Sequence, residues 1–265
     1  MAFLRTILVC LLTSSFVGIA LSWKYDRRPK IYGPRLSPRM LHLSYRRVQR
    51  QILYLHNAFR SQVKPPASDM LAMKWDTEAS KAAQRLAQQC RQLDHERHWD
   101  KKLGFCGQNI FISTQQVPWL FAVRTWYLEK NKYKYGMRNN SLKETGHYLQ
   151  MVWATSHKLG CGFATCPGSV RGAKYFSYVC NYCPTGNYLG KLGRPYKKGI
   201  PCSSCAQHCR KGKLCTNNCD GVDLWFNCRE IHRTWPQWLC ESDGAKGLER
   251  KQNCAATCNC KGKIT

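Results

Sequence analysis

The residues best spaced for chemistry are two Cys-x2-Cys pairs. Cys180 and Cys183 are followed, after 18 intervening residues, by Cys202 and Cys205. That spacing would let four thiolates close tetrahedrally on zinc. The N-terminus argues for oxidation instead. Arg5 precedes a mostly apolar run from Ile7 to Ala20, and Ala20-Leu21-Ser22 offers small residues where a signal peptidase reads, so cleavage is expected before Trp23. The run falls short of the ~20 residues a spanning helix needs. Of 17 cysteines, Cys10 lies in this leader, which leaves an even number for the secreted chain. In an oxidising compartment an even set predicts disulfides and no free thiol, and the ribbon-like spacing is then read as disulfide halves rather than zinc ligands.

Catalytic chemistry finds less support. No serine or cysteine nucleophile stands beside a base in an interpretable motif, so an enzyme is not expected. Asn139-Asn140-Ser141 is an N-glycosylation acceptor at Asn139. Near the C-terminus, Trp225, Phe226, Trp235 and Trp238 accompany Arg229, Arg233 and Lys213. Aromatics rimmed by cations make a partner-binding face. Trp225 and Phe226 are the expected exposed pair, and the competing reading packs two or three of the four as a small core beneath the disulfides.

Charge adds a second binding chemistry. The formal net charge is +27. Residues 23–50 carry nine Lys/Arg against Asp26 alone, residues 51–201 carry 22 against 8, and residues 202–265 carry 10 against 6. Such a field favours anionic glycans, anionic membranes or microbial surfaces. The candidate contacts are Arg27, Arg28, Arg46 and Arg47, then Lys130, Lys132, Lys134 and Arg138 interleaved with Tyr133 and Tyr135, then Lys197 and Lys198 beside Lys191 and Arg194. Nucleic acid is not expected, because the compartment is wrong and no nucleic-acid module is visible.

These residues need a scaffold. Six of the remaining cysteines fall in residues 23–187 and ten in residues 202–265. The first part is long enough to bury a core, whereas the second must be stapled. Val48, Ile52, Leu55 and Phe59 predict a helix over 45–63, stopped by Pro65-Pro66. Asp76 caps a second helix with apolar face Ala79, Ala82, Leu86 and Cys90. Pro118 opens a third through Trp119, Val123 and Trp126. Alternation at Cys161, Phe163 and Thr165 and the run Tyr175–Cys180, with Pro167-Gly168 between, predict a hairpin. Helices with antiparallel strands give an α+β unit. Residues 23–44 read as a basic, mobile arm and residues 188–218 as a Gly/Pro/Lys-rich hinge.

Several longer motifs carry a resemblance. Gly146-His147-Tyr148-Leu149-Gln150-Met151-Val152-Trp153 is similar to GHYTQVVW. Tyr178–Asn187 resembles YVCxYCPxGN, and His56-Asn57-Ala58-Phe59-Arg60 matches HNxxR. CSSCAQHC from Cys202 to Cys209, LCTNNC ending at Cys219 and CAATCNC from Cys254 to Cys260 complete the pattern. Together they resemble the cysteine-rich secretory proteins of the CAP superfamily. The resemblance implies a three-layer α-β-α CAP sandwich over residues 45–187. It also implies a mostly helical, potassium-channel-toxin-like cysteine-rich domain over residues 219–265. Its disulfide order would be Cys90–Cys166, Cys106–Cys183, Cys161–Cys180, Cys202–Cys209, Cys205–Cys215, Cys219–Cys260, Cys228–Cys254 and Cys240–Cys258.

The resemblance also implies a cleft in which two histidines and two glutamates can hold a divalent metal. His147 and Glu129 (of Trp126-Tyr127-Leu128-Glu129) take two of those places. Gln108, in Gly107-Gln108-Asn109, stands where the family has glutamate. The second histidine is His95 or, one register on, His98. Gln108 is a poorer ligand than a carboxylate and cannot act as a base. No cofactor is therefore required, and the expectation is at most weakly bound zinc. The implied function is that of a secreted, non-catalytic binder of an ion channel or cell-surface protein. The alternative is a defence or matrix protein held to anionic glycans, microbial surfaces or membranes.

Overall fold

The computed structural model describes residues 32–265 apart from Arg171. The leader, Arg27 and Arg28 lie outside the described residues. Helix α1 (Arg46–Arg60) buries Val48, Ile52, His56 and Arg60. Helix α2 (Thr77–Gln89) starts at Asp76, whose Oδ1 accepts from the Ala79 amide at 2.8 Å. Helix α3 (Trp119–Leu128) follows Pro118, and helix α4 (Leu142–Met151) carries His147. The sheet contains β1 (Lys74–Trp75), β2 (His98–Asp100), β3 (Gly104–Ser113), β4 (Lys158–Val170) and β5 (Ala173–Cys183), in the order β1-β4-β5-β3-β2. Only β1 and β4 are parallel.

Alternation along β5 sorts its side chains onto two faces. Tyr178, Cys180 and Tyr182 join the main core with residues of α1, α3 and α4. Tyr175 and Val179 meet Ala83, Leu86 and Ala87 of α2. The result is an α+β sandwich of three layers. The buried stripe of α2 is Ala79, Ala83, Leu86 and Ala87, turned slightly from the expected face. Close approach to β4 sets this phase. A Cβ on Gly160 would fall 2.1 Å from the Ser80 amide nitrogen, and one on Gly162 would fall 2.3 Å from that of Gln84. Only glycine lets strand and helix backbones meet so closely. The β4–β5 hairpin turns after Val170 rather than at Pro167-Gly168, where Gly172 supplies a φ of +76°.

The HNxxR residues turn out to be structural. His56 Nδ1 donates to the Ile52 carbonyl at 2.8 Å, so Nε2 is free to accept from the Tyr182 hydroxyl at 2.9 Å. Burial pushes the His56 pKa down to about 4, which keeps the ring neutral. Asn57 clamps Met73 through both backbone groups. Arg60 is fully buried and donates five hydrogen bonds, to the carbonyls of Leu71, Met151, Trp153 and Ala154.

Two expected loose segments are packed. Within the predicted mobile arm, Leu36, Leu41 and Leu43 are buried, and Trp119 Nε1 donates to the Leu41 carbonyl at 2.9 Å. Apolar side chains on short proline-led turns hold residues 33–44 against the sandwich. The predicted hinge is likewise stitched down. The Ser68 amide donates to the Lys197 carbonyl, Leu71 bridges Cys215, and Tyr196 is buried. Inside it, the ribbon of β6 (Cys209–Arg210) and β7 (Leu214–Cys215) leads into α5 (Cys228–Thr234), α6 (Pro236–Cys240), α7 (Gly244–Asn253) and α8 (Ala255–Asn259). Among the described residues, no helix is long and apolar enough to cross a membrane.

Candidate functional site

Among the described residues there are eight disulfides. Three staple the sandwich: Cys90–Cys166, Cys106–Cys183 and Cys161–Cys180. Two hold the ribbon, Cys202–Cys209 and Cys205–Cys215, and three hold the helical tail, Cys219–Cys260, Cys228–Cys254 and Cys240–Cys258. The four sulfurs of the ribbon-like spacing thus go to four different partners. Two groups of potential ligands lie close together among the described residues, His98 with Cys106 and Cys183, and Cys202 with Cys205 and Cys215, and apart from the imidazole they are bonded half-cystines. Such sulfurs offer no thiolate to a metal.

The cleft residues assemble as two pairs. Glu129, just past the end of α3, accepts from His147 Nδ1 at 2.6 Å and from the Tyr148 amide at 3.1 Å. Trp126 lies nearly parallel to the imidazole, 6.2 Å between ring centres. On β3, the Gln108 Oε1 accepts from His95 Nδ1 at 3.0 Å and from the Glu96 amide, while its Nε2 donates to Asn181. A carboxylate or amide oxygen can only accept, so Nδ1 is the donor in both imidazoles, and the neutral ring would keep its lone pair at Nε2. Asn109, adjacent to Gln108, donates to the His147 carbonyl and the Tyr182 hydroxyl. This ties the cleft to the buried His56–Tyr182 contact, a link the sequence did not signal. His98 lies on β2, paired in register with Cys106 and beside the Cys106–Cys183 bridge.

The terminal aromatics separate differently from expectation. Phe226 is 101% exposed, and Trp235 and Trp238 are 61% and 48% exposed. Trp225 instead packs against Cys228, Leu239 and Cys254. The short α6, opened by Pro236, turns Leu239 inward and leaves the tryptophans on its flanks outside. Arg250 stacks over Trp238 at 4.1 Å, and Arg229 and Arg233 are exposed.

The basic stretch after α3 is divided. Tyr133 is buried with its hydroxyl on the Gly193 carbonyl, and Tyr135 reaches the Tyr196 carbonyl, so neither ring joins a surface stripe. Lys132 pairs with Glu144 at 2.8 Å, and Lys130 lies over Tyr127. Lys134 and Arg138 stay exposed, as do Arg46, Arg47, Lys197 and Lys198. Asn139 is exposed, while Asn140 folds back onto the Lys134 and Met137 carbonyls.

A helix-sheet-helix sandwich with imidazoles braced in its cleft, continued by a cystine-rich helical module, defines the two-domain CAP class. A profile described as "Cysteine-rich secretory protein family" matches residues 53–182, and one described as "Crisp" matches residues 202–265. The chain is 40% identical to cysteine-rich secretory protein 2 of Homo sapiens over 82% of its own length and 85% of the relative's. It is 38% identical to human cysteine-rich secretory protein 3 over 82% and 84%. Among solved structures, that of NaASP2 with Zn2+ is similar at 30% identity and a TM-score of 0.53, covering 68% of this chain and 97% of that one. The chain belongs to the cysteine-rich secretory protein family.

Proposed function

We propose that this chain is a secreted, non-catalytic binding protein that modulates an ion channel or cell-surface receptor through its terminal module. The observation carrying this reading is the exposure of Phe226, Trp235 and Trp238 on a unit whose backbone is fixed by three disulfides. Rigid aromatic anchors beside Arg229 and Arg233 are the composition of an interface hot spot, and a stapled frame loses little entropy on docking. The test is current recording from cells expressing potassium or calcium channels, with the full chain and with the three aromatics replaced. A second reading, attachment to anionic glycans or membranes, is favoured by the exposed Lys134, Arg138, Arg46 and Arg47 and by the overall charge.

We propose weak zinc binding in the cleft, supported by the bracing of Nδ1 on both imidazoles. His147 and His95 would supply Nε2 atoms, with Glu129 and Gln108 behind them as orienting partners. Gln108→Glu is expected to tighten zinc binding roughly tenfold, because a carboxylate raises the basicity of the imidazole it braces. His147→Ala should abolish binding at this site. Calorimetric titration of zinc checks both, and equal binding by wild type and His147→Ala would place the metal elsewhere.

A further inference from the structure

A groove of about 1140 Å3 runs between the sandwich and the terminal module. Lys191, Arg194, Lys197, Lys198 and Arg229 line it. All five are exposed, and none is ion-paired with a described residue. The two acids in the wall are already engaged. Asp69 Oδ1 accepts from the Lys197 amide at 2.9 Å, and the Asp223 oxygens accept from the Thr257 amide and hydroxyl at 2.8 and 2.7 Å. With five cations against two aspartates in its lining, the groove carries a net positive charge.

Its other surface is aromatic. Trp153, Tyr188, Trp225 and Phe226 line the groove, with Tyr188 inclined against Trp153 and 52% exposed. Two further lining residues hold buried polar atoms without a partner among the described residues: His157 Nε2 and the Tyr196 hydroxyl, each on a residue 3% exposed. His157 Nδ1 donates to the Thr155 carbonyl, so Nε2 of the neutral ring can accept. Its nearest acid, Asp220, is 3.9 Å away, too far for a hydrogen bond. The Tyr196 hydroxyl can donate or accept. Both atoms are closed to solvent behind the groove wall in this conformation.

A ligand suited to both surfaces is anionic and has flat apolar ring faces. We propose that this groove is a binding site for a sulfated oligosaccharide. Sulfates pair with the five cations, and sugar ring faces lie on Tyr188 and Phe226. The proposal rests on the anionic-glycan reading for its ligand class but assigns a site of its own, separate from the N-terminal basic segment and from Lys130 and Lys134.

The test is calorimetric titration of the full secreted protein with a heparin tetrasaccharide at physiological salt. Arg194→Glu combined with Lys198→Glu should weaken binding at least tenfold, about 1.4 kcal/mol. Phe226→Ala should weaken it severalfold without changing the salt dependence, since no charge is removed. Because Phe226 is fully exposed, this variant leaves the fold intact, which thermal unfolding verifies. Lys130→Glu combined with Lys134→Glu, the rival contacts, should weaken tetrasaccharide binding far less than the groove variant does, and the desulfated tetrasaccharide should not bind. Wild-type affinity in the groove variant, or equal binding of the desulfated sugar, overturns the proposal. Loss confined to the Lys130/Lys134 variant overturns the groove while leaving the anionic-glycan reading standing. Absence of binding by wild type removes both.

Discussion

Arg60→Met is expected to destabilise the sandwich by about 3–5 kcal/mol, the range for removing one member of a buried charged network. The wild-type guanidinium gathers four carbonyls from two regions of chain, Leu71 on one side and Met151, Trp153 and Ala154 on the other. Burial lowers its pKa to about 9, which still leaves it protonated at physiological pH. Methionine fills much of the volume yet offers no donor, so carbonyl groups lose their partners in a site without solvent. Arg60→Lys should recover only part of the loss, because one ammonium cannot reproduce a planar fork with five donors. Denaturant midpoints at constant m-value measure both effects. An Arg60→Met protein within 1 kcal/mol of wild type would show that other groups carry this junction.

Replacing Cys219 and Cys260 together by serine is expected to cost about 4 kcal/mol, from the chain entropy of a loop whose ends are 41 residues apart. The same relation gives about 2.5 kcal/mol for Cys202–Cys209, whose ends are 7 apart. The larger loss falls where there is least to absorb it. Cys219 and Cys260 share their small cluster with Ala256 alone, and a unit of this size cannot replace a staple with apolar burial. The terminal helices should therefore open while the sandwich keeps its core. Amide hydrogen exchange reads this directly: protection should vanish across residues 219–265 and persist across β3, β4 and β5. Unchanged protection in the tail would mean that the two remaining tail disulfides suffice.

The sequence pattern located α1, α2 and α3 because their apolar residues recur at helical spacing and because Asp76 and Pro118 mark boundaries. Helix α4 escaped that reading, since Gly146, His147 and Gln150 break its apolar face; only the family motif drew attention to it. Arms and hinges were misjudged for a different reason. Proline, glycine and lysine content describes local stiffness and solvation, but Leu36, Leu41 and Tyr196 are buried by partners far away in sequence. Of the cleft, Glu129 and His147 could be placed by motif, whereas the orienting geometry of His95 on Gln108 required the strand register. The disulfide pairs entered through the family resemblance alone, because counting cysteines cannot choose among connectivities. Composition placed Trp225 outside with Phe226, whereas tertiary packing turns it against Cys228, Leu239 and Cys254 and leaves Trp235 exposed.

The central claim is that the stapled module acts on a membrane protein through its exposed aromatics. The most direct measurement is whole-cell current recording across a panel of potassium and calcium channels, with the full chain applied outside the cell. The account predicts that wild type alters at least one current and that a Phe226→Ser, Trp235→Ser, Trp238→Ser protein with unchanged hydrogen exchange has lost the effect. A triple variant as active as wild type, or a wild-type protein inert on every channel tested, would contradict it.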